Sequence, residues 1–180
     1  LAPLNEQKRI ADKLDTLLAR VNACREHLDQ VPVILKRFRQ AVLAAAVSGK
    51  LTEEWREQNR IIERTKRVAI NETESDTSYG SSAKSKKSGI IPVLRMGNIQ
   101  DGKLDWEDLV YTSDQSEIKK YELHQGDVLF NRTNSPELVG KTAVYKGERP
   151  AIYAGYLIRI KCGPNLLPDY LNYCLNSQDG

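Results

Sequence analysis

Cysteine, histidine and long apolar runs are all scarce in this chain of 180 residues. Its three cysteines, Cys24, Cys162 and Cys174, are too few and too scattered for a disulfide framework or a metal-ligand set. The two histidines, His27 and His124, lie far apart and near no cysteine. Neither a zinc site nor a Ser-His-Asp or Cys-His arrangement can be built from them. No apolar run approaches the roughly 20 residues that span a bilayer. The opening "LAPLNEQKRI" also lacks the apolar core of a signal peptide. These absences predict reduced thiols in a cytoplasmic protein with no membrane association. The first residue is Leu rather than Met, which suggests a piece of a longer chain.

Charge of one sign is also missing. Lys and Arg number 27 against 24 Asp and Glu, a formal charge of +3. That balance permits nucleic-acid binding but does not argue for it, because clustering matters more than the total. The tripeptide Gly140-Lys141-Thr142 resembles the end of a phosphate-binding loop. Such a loop needs an earlier glycine, where this chain has Ser135, and a following helix, where "AVYKGE" reads as a strand and turn. Nucleotide hydrolysis is therefore not expected. Methyltransferase chemistry would need a cofactor-binding glycine motif and a base-flipping motif, and neither is present. Asp101, Asp105, Glu107 and Asp108 are close in sequence but read as a solvated acidic turn rather than a nuclease metal site. The expectation is no catalytic residue, no metal and no cofactor.

What is present begins with a regular apolar seam. Ile10, Leu14, Leu17, Val21, Cys24, Leu28, Val31, Leu35, Phe38 and Val42 alternate steps of four and three. This is a heptad pattern and predicts a coiled-coil helix. Asn5 can cap its start, Glu6 suits the positive end of the dipole, and Gly49 can end it. Pro32 interrupts the run, yet the apolar phase continues across it. The prediction is a kinked but continuous arm rather than a break at Asp29. From Asn5 to Val47 it would reach roughly 60 Å. Such a seam needs a partner helix, and this chain supplies no second long heptad segment. The partner is then a second copy or another part of the parent protein.

Residues 60–89 contain a Ser-, Thr- and Gly-rich run with Lys84, Lys86 and Lys87 close together, and read as a linker or mobile loop. From Ile90 the helical period gives way to short β-rich runs such as "IPVLRM", "DVLFNR" and "YLIRIK". "PDYLNYCLNS" reads as a short helix with Pro168 in its first turn. The predicted class is α+β: a helical spacer over 1–59, a linker over 60–89, and a mostly antiparallel β-rich domain over 90–180. Within it, "NRTNS" places hydrogen-bonding side chains from Asn131 to Ser135, and Arg95 and Asn98 flank another turn. Arg, Asn, Ser and Thr can bond base edges or phosphate. They are equally common in turns because they bond their own backbone.

The segments "PLNEQKRIADKLD", "ILKRFRQAVLAAAVSGKLTEEWRE", "IPVLRMGNIQDGKL", "YELHQGDVLFNRTNSPELVGKTAVY" and "YAGYLIRI" resemble the DNA-specificity subunit (HsdS) of type I restriction-modification systems. The resemblance covers nearly the whole chain and is weakest from Glu63 to Thr77. It implies two target recognition domains that read a split DNA site, separated by conserved helices that pack as an antiparallel coiled coil. This chain would hold the central conserved helix and part of the second recognition domain, truncated. The implied partners are double-stranded DNA, methyltransferase (modification) subunits and, through the complex, restriction (translocase/endonuclease) subunits, with self-association through the seam as a further route. The subunit itself would be non-catalytic. On this reading Arg95, Asn98, Arg132, Thr133, Asn134, Ser135 and Lys141 are the expected DNA contacts. Arg37, Phe38, Arg39 and Trp55 are the expected subunit contacts, with Phe38 also a seam residue. The competing readings are the recognition part of a fused restriction-methyltransferase, or a coiled-coil adaptor without a DNA role.

Overall fold

The computed structural model describes residues 1–61, 68–132 and 140–177. It divides into two compact units, Leu1–Val42 and Leu43–Gly180. The first is almost wholly one helix. Helix α1 runs unbroken from Leu4 to Val47, with Pro32 inside it, and at ~1.5 Å per residue it is about 66 Å long. It starts one residue before the expected cap. Asn5 lies within the first turn, and Pro3 O accepts from the N–H groups of Glu6 (2.9 Å) and Gln7 (3.0 Å). At the other end Gly49 adopts φ 77°, the left-handed conformation that ends helices with least strain in glycine. No residue of α1 is buried. Along the seam Leu28 is 68% and Phe38 67% exposed.

The second unit begins with the last turn of α1 and a short helix, α2 (Glu53–Gln58). Its strands come in the order β1 (Asp76–Tyr79), β2 (Ile91–Leu94), β3 (Ile99–Gln100), β4 (Lys103–Leu104) and β5 (Val110–Thr112). Helix α3 (Gln115–Tyr121) precedes β6 (Val128–Asn131), β7 (Thr142–Val144), β8 (Ile152–Tyr153) and β9 (Leu157–Lys161), and α4 (Pro168–Leu175) comes last. One sheet has the order β1-β9-β6-β7 and is antiparallel throughout. A second, β5-β2-β8, pairs β2 antiparallel to β5 and parallel to β8. The third is the β3-β4 hairpin, turned by Asp101 and Gly102 at positive φ.

Strand β6 is apolar on consecutive residues because both of its faces are covered. Leu129 joins one core with Leu94, Ile99, Tyr153 and Leu157. Val128 joins another with Val144, Ile160 and Leu171 of α4. Pro168 starts α4, as its fixed φ favours.

The stretch 60–89, read as a linker, contains an ordered strand. Residues Asp76–Tyr79 pair in register with Lys161–Ile158 of β9, and Lys86 exchanges two backbone bonds with Tyr111, at 2.9 and 2.8 Å. Gly80 makes this close approach possible: a Cβ there would lie 2.4 Å from the carbonyl oxygens of Tyr153 and Ala154. Strand β1 carries polar residues because it is an edge strand with only one half-buried position.

Candidate nucleic-acid interface

The hairpin between β6 and β7 brings together the two basic residues that bracket its loop. Asn131 N–H donates to Lys141 O, and Gly140 N–H to Asn131 O, both at 2.9 Å. Arg132 and Lys141 therefore stand at the two feet of one loop. A buried network holds its root. Thr142 Oγ1 donates to Asn172 Oδ1 (2.7 Å), Asn172 Nδ2 to Gly102 O (3.0 Å), and Asn176 Nδ2 to Thr142 O (3.2 Å). Helix α4 thus ties this hairpin to the β3-β4 turn. An apolar cavity of about 440 Å³ adjoins the root, lined in part by Phe130, Gly140, Ile158 and Tyr79.

Arg132 is exposed but oriented. Its Nε and Nη2 both donate to Gly155 O, at 3.3 and 3.2 Å. Its guanidinium carbon lies 4.9 Å from the centre of the Tyr79 ring, a cation–π geometry. Lys141 is half-buried, and its Nζ donates to Gln100 Oε1 (3.3 Å). Gln100 Nε2 in turn donates to Gly97 O (3.0 Å), which joins the β2-β3 turn to the hairpin. Thr133, Asn134 and Ser135 lie outside the described residues.

Of the other two expected DNA contacts, Asn98 is buried, and Arg95 is half-buried and paired with Asp108. Asn98 is only 2% exposed. Its Oδ1 accepts from Arg95 N–H (2.9 Å), and its Nδ2 donates to the carbonyls of Asp105 and Asp108, both at 3.1 Å. With its amide saturated and covered, Asn98 shapes the turn. Arg95 Nη2 donates to Asp108 Oδ2 (2.9 Å) and Asp108 O (3.0 Å), so its charge is compensated locally. Its Nε is buried with no partner among the described residues.

Sequence reasoning missed Tyr79, Gln100, Gly155 and Tyr156. Tyr79 and Tyr156 are 64% and 55% exposed beside Arg132, and Tyr156 O accepts from Arg132 N–H (3.3 Å). The available signal was two tyrosines in polar or glycine-bearing stretches, where core packing does not demand them. On the helical side Arg37, Phe38 and Arg39 are exposed on α1, and Trp55 of α2 is 57% exposed.

A second polar network lies deeper. Asp127, 3% exposed, accepts from His124 N–H (2.8 Å) and faces Arg159 Nη1 at 3.9 Å. Arg159 also donates to Ser78 Oγ and Glu122 O, each at 3.1 Å, which fastens β1 and the end of α3 to β9. Burial pushes the Cys162 and Cys174 thiols up, which favours the protonated form. Among the described residues no three His, Cys, Asp or Glu side chains are grouped to hold a metal ion. No described helix is long and apolar enough to cross a membrane.

Comparison with known proteins narrows the class. The specificity subunit of the type I restriction enzyme EcoKI from Escherichia coli K12 is 38% identical over 98% of this chain and 39% of its own length. The StySPI specificity subunit from Salmonella potsdam is 36% identical over the same shares. The crystal structure of the HsdS subunit from Thermoanaerobacter tengcongensis matches 97% of this chain and 41% of its own, with a TM-score of 0.58 at 21% identity, which shows a shared fold. No family model matches. Over 98% of its length the chain is similar to specificity subunits of type I restriction enzymes. It spans about two fifths of the length of the relatives it matches.

Proposed function

We propose that this chain recognises double-stranded DNA as part of a type I restriction-modification enzyme. It reads one half of a bipartite site with the β-rich unit and engages modification subunits through its helical arm, without catalysing a reaction itself. The observation that supports this reading is the placement of Arg132 and Lys141 at the paired ends of β6 and β7, Arg132 exposed and Lys141 half-buried. Two cations so placed can straddle the backbone or edge of a duplex, which uses base contacts for sequence and phosphate contacts for register. Thr133, Asn134 and Ser135 connect these feet in the chain and belong to the same proposed contact. Asn98 and Arg95 support the adjoining turn. Restriction subunits join through the complex. The uncovered seam, with Arg37, Phe38, Arg39 and Trp55 nearby in sequence, supports the assembly role.

The test is binding of the intact protein to duplex DNA of random sequence across a salt series. Affinity should fall as salt rises. In Lys141→Ala the steepness of log K against log salt should drop by about one, for one lost phosphate contact. A protein that binds no duplex at low salt is an adaptor, and the DNA reading then fails.

A further inference from the structure

Among the described residues Arg132 is held by three independent contacts, and these leave one edge of its guanidinium without a described partner. Nε and one proton of Nη2 are spent on the Gly155 carbonyl. The guanidinium carbon sits over the Tyr79 ring, 4.9 Å from its centre, and the backbone N–H of Arg132 is tied to Tyr156 O. A guanidinium has five N–H donors in a rigid fork. After the bonds to Gly155, the edge formed by Nη1 and the second Nη2 proton still carries two parallel donors. That edge matches two acceptors lying side by side in one plane, such as O6 and N7 of guanine in the major groove.

We propose that Tyr79 is a positioning residue for sequence readout: it holds Arg132 so that its free edge reads a guanine. The inference rests on the DNA-recognition reading above and adds the base class and the residue that enforces it. The physical argument concerns orientation. A phosphate accepts donors from many directions, so a lysine or a mobile arginine serves it equally well. A base edge accepts only within its own plane, and fixing the plane in advance removes the cost of ordering a long side chain at the moment of contact. Tyr79 is suited to this because its backbone is locked by pairing with Ile158. The following Gly80 fits against Tyr153 and Ala154 where a Cβ would collide with their carbonyl oxygens. The ring itself is exposed, so its removal costs little packing. The stack also needs the ring face rather than the hydroxyl.

The experiment selects bound sequences from a random duplex pool with the intact protein and three variants, Arg132→Ala, Tyr79→Ala and Tyr79→Phe. Arg132→Ala should lose preference for guanine at one position by roughly 5- to 150-fold. Tyr79→Ala should weaken preference at that same position and leave the others unchanged, and Tyr79→Phe should retain it. In the DNA-free protein, NMR should show ring-current-shifted Arg132 side-chain protons in wild type and Tyr79→Phe but not in Tyr79→Ala. The inference is overturned if Tyr79→Ala leaves the guanine preference intact, or lowers every position alike. It is also overturned if Arg132→Ala weakens all sequences uniformly with a salt slope smaller by about one, which marks a phosphate contact. A wild-type protein that binds none of the pool overturns the DNA reading itself. Wild-type selection with an indifferent Tyr79→Ala sinks only the positioning role.

Discussion

Asn98 and Arg132 look alike in the sequence: each flanks a turn, and each can bond a base. Their environments separate them. Asn98 is covered and makes three side-chain bonds to its own loop, whereas Arg132 is exposed with donors to spare. The consequences of truncation should therefore be opposite. Asn98→Ala strands a backbone N–H and two carbonyls and should cost about 2–3 kcal/mol, read as a lower urea midpoint. Arg132→Ala should stay within about 0.5 kcal/mol of wild type in the same titration, because it opens no buried group. The two possibilities for turn asparagines, contact or architecture, could not be separated by residue type. What decides is whether the amide is already saturated, and that depends on Asp105 and Asp108, brought back by the β3-β4 hairpin.

Helix α1 was legible almost entirely from its own letters. Heptad spacing is a local property, because residues three and four apart share a face of any helix. The continuation of the helix through Pro32 was also legible in the unbroken apolar phase. Pro32 still removes a backbone bond and crowds the preceding turn. Pro32→Ala should therefore stabilise the arm by about 2–3 kcal/mol, measured as a higher melting temperature of the 222 nm circular dichroism signal. Strand β1 is the contrary case. Asp76-Thr77-Ser78-Tyr79 has little apolar character, and its place in the sheet comes from pairing with β9 and from the Arg159 bond to Ser78. No window of sequence around β1 contains those partners. The hairpin β6-β7 lies between: its apolar strands were readable, but the lock from Asn172 and Asn176 on α4 was not.

The whole chain pairs a helical arm with a β-rich unit, the α+β arrangement that the sequence pattern implied. In the proposed bipartite reading, the arm is a ruler between DNA-reading units. One added heptad lengthens an α-helix by about 10 Å, close to the axial rise of three base pairs. A seven-residue insertion in α1 of the intact protein should lengthen the preferred spacer between half-sites by about three base pairs, scored by selection from duplexes with randomised spacer length. An unchanged preference would show that the arm does not set the distance. The sequence by itself determined the arm, its uncovered apolar seam, the β-rich character of the rest of the chain and the positions of the turns, because each depends on neighbours a few residues away. Only the tertiary structure decided that β1 is a strand, which donors are consumed internally, and that Tyr79 and Gly155 meet Arg132. Those outcomes rest on burial and on pairing between distant segments, which no local pattern contains.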